Sequence, residues 1–346
     1  MKGIIKSFMS TPPPKIPPGK IWKPKCANLP LLSSYKRTLP ANYWSKWNKR
    51  TFSQVLPTKS WVSSTKIQEL CQEVGYRDAA RLKRVVDRLD NGADIGCVGR
   101  ARLPTVTPNG SSAYEYGARV ADSLQDWINQ GILVGPLSRE EVPWDDITIN
   151  QLMVRLKPNL SARIIVNMSS PKTEVGPGAV NIGIDGANFE ARMSSTAKFV
   201  ESLVKAGVGC LICKSDWSSA YKHQHVRAED LKLQFIEFGG RLFCELMLVF
   251  GAISSPGIYD DLAKVVLACA ILLSKISPDM IQQHLDDVCG VGTEEDGSIY
   301  RFDEAYRQVA DRVGVKLAPR DDPDKSFAPC MEGLVLGVVF YTKQLT

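Results

Sequence analysis

The chain has 346 residues, 44% of them hydrophobic, and a formal net charge of +6. That length can bury a sizeable core in one large or two smaller domains. The longest wholly apolar run, Val265 to Leu273, is far too short to span a bilayer. No signal-peptide pattern opens the chain, and nine cysteines without a disulfide framework are typical of a reducing compartment. We therefore expect an intracellular protein without a membrane partner, in the cytoplasm or the nucleus.

The charge is distributed unevenly along the chain. The first 68 residues contain 13 Lys or Arg and no Asp or Glu, which leaves a net charge of −7 on the rest. The prolines of "TPPPKIPPGKIWKPK" favour an extended chain, and tryptophans such as Trp44 and Trp47 are interleaved with the lysines. We predict an extended or disordered basic leader over residues 1–60. It could bind nucleic acid, dock on the body of the protein, or serve as a solvated linker.

The next region, residues 61–112, is predicted to be helical, and the sequence assigns it no role. Thr65 and Gln68 predict a capping box for a first helix. A second helix ends at Asn91, because the Asn-Gly pair is a helix-stop signal. A third helix follows and ends at Gly131.

Downstream, short β-rich runs alternate irregularly with helices. "QLMVRLKP" and "ARIIVNMS" predict one hairpin, and "LKLQFIEFGGRLFCELML" predicts a second that turns at its two glycines. "GCLICKSDW" and "GLVLGVVFY" each predict a single strand. Helices are predicted over residues 194–206, 257–274 and 303–313. Because the order lacks the regular alternation of a doubly wound fold, an α+β fold is favoured.

The stretch "MIQQHLDDVCGVG" places Asp286 and Asp287 between two apolar runs that predict a hairpin. Adjacent carboxylates resist joint ionisation unless a cation neutralises them, and carboxylate oxygens are the ligands that Mg²⁺ prefers. A structural turn can also contain such a pair. However, "LICKSDWSSAY" puts Asp216 at the end of a buried strand. If the two strands are neighbours, three carboxylates converge, as two-metal nucleotidyl transfer requires.

Four motifs in this order, "KSDWSSAY", "VFGAISSPGIYD", "QHLDDV" and "LGVVF", resemble the successive motifs of reverse transcriptases. The resemblance extends from about Asp122 to the last residue. The wording of "ARIIVNMSSP", "VNIGID" and "SSPGIYD" is most similar to polymerases of DIRS-type (tyrosine-recombinase) retrotransposons. It implies right-hand polymerase fingers and palm over residues 113–346, with an antiparallel palm sheet. The domain would end at the primer grip, with the thumb absent or incomplete.

The resemblance also implies catalytic roles. Asp216, Asp286 and Asp287 would be catalytic and would hold two Mg²⁺ ions, or Mn²⁺ in their place. The backbone carbonyl of Trp217 would assist the first aspartate. Tyr221 falls at the steric-gate position, where an aromatic ring excludes the ribose 2′-hydroxyl that distinguishes RNA from DNA precursors.

Further residues are implied in nucleotide binding. Lys157 and Arg163 would grip the incoming triphosphate, for which the planar fork of arginine is well suited. Phe250 and Gly251 would line the base and sugar pocket. Lys325 would lie near the leaving pyrophosphate as an acid or a phosphate clamp. The implied partners are dNTPs, an RNA template and a DNA or RNA primer.

The sequence departs from the family pattern and leaves alternatives open. His284 stands where most reverse transcriptases have an aromatic residue, and Asn167 where aspartate is frequent. No thumb, RNase H or recombinase region is recognisable, so we expect such domains on the same or another chain. An RNA-dependent RNA polymerase is disfavoured, because it usually has an acidic residue where this chain has Tyr221. An inactive or domesticated relic that binds nucleic acid is the other alternative, although all three carboxylates are retained.

Overall fold

The computed structural model describes residues 41–156, 162–172 and 178–344 of the chain. Its helices are α1 (Phe52–Val55), α2 (Ser64–Val74), α3 (Ala79–Asn91), α4 (Ser111–Glu115), α5 (Gly117–Asn129), α6 (Thr196–Ala206), α7 (Ala228–Leu231), α8 (Ser255–Ser274) and α9 (Ser298–Val313). Its strands are β1 (Leu133–Leu137), β2 (Ile149–Leu156), β3 (Ala162–Asn167), β4 (Leu211–Asp216), β5 (Phe235–Phe238), β6 (Arg241–Glu245), β7 (Ile281–His284), β8 (Asp287–Gly292), β9 (Phe327–Cys330), β10 (Glu332–Val335) and β11 (Val338–Tyr341). The irregular mixture of helices and strands confirms the predicted α+β class.

Four strands form an antiparallel sheet in the order β7-β8-β4-β9. Strand β4 is buried along its whole length. Its alternate side chains reach different cores: Leu211 and Cys213 join the main core, and Ile212 joins a second cluster with Phe199 of α6. Helix α9 packs on the same sheet. With apolar side chains covered on both faces, the strand ends are the places where polar side chains can gather.

A second sheet has five strands in the order β1-β6-β5-β2-β3. All neighbours are antiparallel except β2 and β5, which are parallel. The pairing of β2 with β3 confirms the strands of the first predicted hairpin, whose turn lies outside the described residues. The second hairpin turns at Gly239 and Gly240 as predicted, and both glycines have positive φ angles.

Helix α8 lies at the centre of the main core. Thirteen of its 20 residues are buried, and it packs against α2, α3 and α9. Helices α2 and α3 come from the region that had no predicted role, and they share one continuous core with the rest of the protein. Among the described residues, no helix combines the length and the apolar character that crossing a bilayer requires.

Residues 41–60 do not form the extended or disordered segment that we predicted for the whole leader. The rings of Trp44 and Trp47 lie 5.7 and 6.2 Å from the ring of Phe243 in β6. Burying this aromatic surface outweighs the local preference for an extended chain. Residues 1–40, which contain the proline-rich run, lie outside the described residues, so the nucleic-acid arm stays a prediction for them.

Other local predictions were wrong. Helix α2 begins earlier than predicted, because the hydroxyl of Ser63, and not that of Thr65, accepts a hydrogen bond from the backbone N–H of Lys66. Strand β1 was not predicted. The run "GLVLGVVFY" forms the hairpin β10-β11 instead of one strand. Its turn contains Leu336 with a φ of 49°, a backbone conformation that a leucine does not signal in the sequence.

Candidate active site

The antiparallel register brings three aspartates to one end of the β7-β8-β4-β9 sheet. Asp216, the last residue of β4, pairs with Asp287, the first residue of β8. Asp286 precedes it in the two-residue turn from β7 to β8. The backbone carbonyl of Asp286 accepts a hydrogen bond from the N–H of Trp217 at 3.3 Å. The predicted proximity of the two strands is confirmed.

Both turns at this end of the sheet contain a non-glycine residue with a left-handed backbone. Ser219 has a φ of 58° and Leu285 a φ of 55°. For a leucine this conformation costs about 1–2 kcal/mol. The folded protein tolerates the strain, and as a result Asp286 lies at the tip of the turn. Strained residues of this kind cluster at functional sites.

Asp216 and Asp286 lie in a poorly hydrated environment. Oδ2 of Asp216 accepts a hydrogen bond from Nζ of Lys325 at 2.9 Å, whereas its Oδ1 is buried and has no hydrogen-bond partner among the described residues. Burial raises the pKa of Asp216, and Lys325 offsets the increase only in part. Burial, and then the charge of Asp216, raise the pKa of Asp286 to about 6. Each carboxylate therefore opposes the ionisation of the other.

Asp287 has a different partner. Its Oδ1 lies 3.1 Å from Nζ of Lys214, a buried lysine of β4 that also donates to the carbonyl of Asp324 at 3.0 Å. Within the described ranges, no group of three or more His, Cys, Asp or Glu side chains is arranged to hold a metal ion. The charges of Asp216 and Asp287 both oppose the ionisation of Asp286, and that of Asp287 also opposes the ionisation of Asp216, so the three carboxylates lie close together at this end of the sheet. Lys214 forms its ion pair with Asp287 beside them. Their joint role in holding metal ions stays a prediction.

The two coupled carboxylates fit a divalent cation. The buried Oδ1 of Asp216 lacks a partner among the described residues, and burial together with the charge of Asp216 raises the pKa of Asp286. Carboxylate oxygens are the ligands that Mg²⁺ and Mn²⁺ take. Asp216 and Asp286 are therefore the residues that could hold such an ion, with Asp287 beside them.

A cavity of about 340 Å³ opens next to these carboxylates. Its wall contains Asp286 together with five other predicted site residues: Arg163, Trp217, Tyr221, Phe250 and Lys325. Asp286 comes from the turn between β7 and β8. The other five come from strand β3, from the loops after β4 and β6, and from the loop before β9. Lys157 lies outside the described residues, so its predicted role stays a prediction. The fold therefore gathers residues more than 150 positions apart into one pocket.

Tyr221 forms one side of the cavity. Its buried ring lies 5.7 Å from the ring of Phe250 and 5.8 Å from that of Tyr259. Burial and the negative charge of Asp286 raise the pKa of Tyr221 to about 12. The phenol is therefore neutral near pH 7 and presents a rigid, uncharged ring edge to the cavity.

Phe250 lies beside Tyr221 in the cavity wall and is 56% exposed. The guanidinium of Arg163 lies 5.6 Å from the centre of its ring, at cation–π distance. The neighbouring Gly251 is required for packing, because a Cβ at this position would lie 1.7 Å from the carbonyl oxygen of Val166 in β3. The structure thus explains this glycine by contact with a strand. Its predicted contact with a nucleotide stays a prediction.

The remaining predicted residue, Trp217, has a buried indole whose Nε1–H donates to the hydroxyl of Tyr306 at 2.7 Å. The role of its backbone carbonyl as a ligand, which the resemblance implies, stays a prediction. The variant His284 donates from Nδ1 to the carbonyl of Ser194 at 2.7 Å, since a carbonyl oxygen can only accept. This bond fixes the ring in the strand that leads to Asp286.

Three charged residues near the cavity were missed in the sequence: Lys214, Lys222 and Glu245. Lys214 neutralises Asp287, and Lys222 forms a buried ion pair with Glu245 in the cavity wall. The position of Lys214 inside an otherwise apolar strand could have indicated a buried ion pair. The pairing of Lys222 with Glu245 gave no signal, because the partners belong to different elements.

No protein-family model and no curated protein matches the chain. Solved structures do match. The native protease-reverse transcriptase of Prototype Foamy Virus is similar with a TM-score of 0.51 at 15% identity, over 90% of this chain and 36% of that chain. A selenomethionine-labelled CSH mutant of it gives 0.50 at 15% identity, over 81% and 36%. A dRH form in complex with double-stranded DNA gives 0.50 at 14% identity, over 80% and 46%.

This chain thus spans less than half the length of the structures it resembles. At such low identity the likeness concerns the fold and not the activity. The likeness extends over most of the chain. The chain has a reverse-transcriptase-like fold.

Proposed function

We propose that this chain is the RNA-directed DNA polymerase domain of a retroelement, most similar to those of DIRS-type retrotransposons. One observation carries the proposal: the coupled carboxylates adjoin a cavity whose wall contains both cations and aromatic rings. Lys325 connects the two parts, since it lines the cavity and donates to Asp216. Nucleotidyl transfer needs anionic ligands, phosphate-binding cations and a nucleotide-sized pocket in one place.

Asp216 and Asp286 would hold Mg²⁺, or Mn²⁺ in its place, in a two-ion arrangement. Bound ions would supply charge neutralisation for the attacking and leaving oxygens of an in-line displacement. Asp287 would keep the turn in position through its ion pair with Lys214. The backbone carbonyl of Trp217 would complete the set of oxygens.

In the proposed reaction the 3′-hydroxyl oxygen of the primer bonds to the α-phosphorus of a dNTP while its proton passes to solvent water, and the bond to the bridging oxygen of the pyrophosphate breaks. Lys325 would bind the leaving phosphates and supply a proton to them. Arg163 would bind the triphosphate through its fork, together with Lys157. Tyr221 and Phe250 would enclose the sugar and the base.

The proposed nucleic-acid partners are an RNA template and a DNA or RNA primer. A structure with a similar fold was solved with double-stranded DNA, which supports a nucleic-acid partner. Thumb, RNase H and recombinase domains are proposed as further parts of the machinery, on the same or another chain. Tyr221 at the gate position argues for dNTPs over rNTPs and against an RNA-dependent RNA polymerase.

A second candidate function is nucleic-acid binding without catalysis. It is favoured by the ion pair of Asp287 with Lys214, which gives one of the three expected ligands a protein cation as its partner. Under this alternative the protein binds a primed RNA template, but no condition of divalent ion or nucleotide yields extension.

A primer-extension assay on an RNA template with dNTPs and Mg²⁺ separates the two candidates. The polymerase proposal expects extension by the wild type and a loss of at least about 1,000-fold in Asp216→Asn and Asp286→Asn. Asp311→Asn, at an exposed position of α9, is the matched control and should extend normally. Primer binding without extension, with Mg²⁺ or Mn²⁺, would favour the relic.

A further inference from the structure

The residue directly after Tyr221 is a buried lysine that contacts a carboxylate, a backbone carbonyl and an aromatic ring. The side chain of Lys222 is 12% exposed and pairs with Glu245 of β6, which is 3% exposed. Its ammonium also donates to the carbonyl of Leu248 at 3.2 Å. It lies 5.1 Å from the ring centre of Trp127 in α5, at cation–π distance. Lys222, Glu245 and Trp127 all line the cavity that we assign to the nucleotide.

Burying this ion pair in the cavity wall costs desolvation free energy. Burial opposes the charge and lowers the pKa of Lys222 to about 7. A well-packed apolar pair of similar volume is often at least as stable as a buried ion pair. The advantage of the pair is therefore geometric, because hydrogen bonds fix distances that apolar packing leaves adjustable.

The pair fixes the position of Tyr221 in the cavity wall. Backbone hydrogen bonds join Val226 to Leu246 and Gln224 to Leu248, so two segments run antiparallel toward the cavity. The contact of the Lys222 side chain with the Leu248 carbonyl continues this ladder. Tyr221 lies at the end of one segment. Phe250 lies at the end of the other, and the two rings are 5.7 Å apart.

We propose that Lys222 is a positioning residue: its ammonium, held by Glu245 and Leu248, fixes the position of the Tyr221 ring in the cavity wall and so determines how strongly the site rejects a ribose 2′-hydroxyl. The inference rests on the proposed polymerase function and deepens it. Lys222 touches no reacting atom. It acts indirectly, by fixing where the Tyr221 ring lies relative to the sugar of the bound nucleotide.

A purely structural ion pair makes a different prediction. It would lower stability when removed, and it would lower dNTP and rNTP use by the same factor. A positioning residue changes the ratio of the two, because a wider cavity admits the extra hydroxyl while the dNTP still fits. The ratio of kcat/KM for a dNTP and its matching rNTP is therefore the decisive quantity.

The test compares the wild type with Lys222→Met, Glu245→Gln and the double variant. The single lysine change leaves a buried carboxylate unpaired and endangers folding. The double variant is uncharged and close in volume, so it keeps the test interpretable. Asp261→Asn is the matched control, because Asp261 accepts hydrogen bonds from three arginines of α3, away from the cavity. Its Tm should fall without a change in the ratio.

We expect the folded double variant to lose about tenfold or more in dNTP-over-rNTP discrimination. The change should appear mainly as a lower KM for the rNTP, with kcat for the dNTP within severalfold of the wild type. An unchanged ratio in the folded double variant overturns the positioning role alone. So does a failure of all three variants to fold, which would make the pair structural. If the wild type neither extends a primer nor binds dNTP, the proposed function fails and this inference fails with it.

Discussion

Nζ of Lys325 lies 2.9 Å from Oδ2 of Asp216, while the other oxygen of the same carboxylate is buried without a partner among the described residues. The lysine thus balances part of the charge that a divalent ion would balance. An ammonium and a metal ion close to one carboxylate repel each other, so binding of the ion should release Lys325 toward the cavity that it lines.

Lys325→Gln should therefore separate ion binding from catalysis. Without the competing charge, the nucleotide-free protein should bind Mg²⁺ severalfold more tightly in a calorimetric titration. Extension should nevertheless fall about 100-fold, because the group proposed to bind the leaving phosphates and to supply their proton is lost. Lys66→Gln, at an exposed position of α2, is the control. Weaker Mg²⁺ binding by Lys325→Gln would contradict the competition.

Asp286→Asn should stabilise the protein in the absence of divalent ions. The pKa of Asp286 is raised from its ordinary value of 3.8 to about 6. As the pH rises through this window the unfolded chain loses its proton first, so the wild type loses stability. At pH 7 the variant should be more stable by about 1–2 kcal/mol, after allowance for partial exposure.

Thermal unfolding in EDTA measures this difference. The two proteins should have nearly the same Tm near pH 3.5, which lies below both the ordinary and the raised pKa of Asp286, and diverge by pH 7. Mg²⁺ should raise the Tm of the wild type more than that of the variant. If the variant is the less stable protein at pH 7 in EDTA, the ionised carboxylate of Asp286 does not destabilise the folded protein, which contradicts the prediction.

Acid should destabilise the loop that carries Tyr221 through His223. Nδ1 of this buried ring donates to the carbonyl of Ala220, and Nε2 accepts from the backbone N–H of Lys316, so the imidazole must be neutral. Burial lowers the pKa of His223 to about 4. The unfolded chain therefore binds the proton first as the pH falls from about 6.5, and stability decreases toward pH 4.

The full contribution of such a shift is about 3 kcal/mol. Urea titrations at pH 7 and pH 5 should show a smaller loss of stability on acidification in His223→Gln than in the wild type. His225 is also buried, with its pKa lowered to about 4, so the variant should retain part of the loss. Equal losses in both proteins would show that His223 stays neutral for another reason.

Replacing Tyr221 by Ala or Val should admit rNTPs. The ring stands between Phe250 and Tyr259 at the edge of the cavity, where a 2′-hydroxyl would meet it. The ratio of kcat/KM for dNTP and rNTP should fall about 100-fold, with some loss in dNTP use. A wild type that uses both nucleotides equally would refute the gate and revive the RNA-polymerase alternative.

The basic leader should be tested by removing residues 1–40 and not residues 1–60. Deleting residues 41–60 would also remove Trp44 from the core, so any loss of binding could reflect unfolding. If residues 1–40 bind RNA through phosphates, the deletion should weaken binding at low salt and flatten its salt dependence. Unchanged affinity and slope in filter binding between 50 and 200 mM salt would identify the leader as a linker.

The sequence by itself determined the local parts of this protein. Strand β4 could be predicted because its apolar run ends at Asp216, and the β7-β8 hairpin because two such runs flank Asp286. These are signals of period and turn, which a few neighbouring residues decide. The order of the motifs then indicated a polymerase fold, and the similar solved structures support that fold.

Only the tertiary structure decided which charges meet. The register that sets Asp216 against Asp287 depends on packing across both faces of the sheet. The ion pair of Asp287 with Lys214 follows from that register. The pairing of Lys222 with Glu245 joins separate elements in the same way. Trp44 packs in the core although its segment is rich in proline and lysine, because the free energy of burying its aromatic ring outweighs the local preference for an extended chain. Local preferences fix where strands and turns lie, whereas long-range packing fixes which side chains a carboxylate contacts, and that contact sets its chemistry.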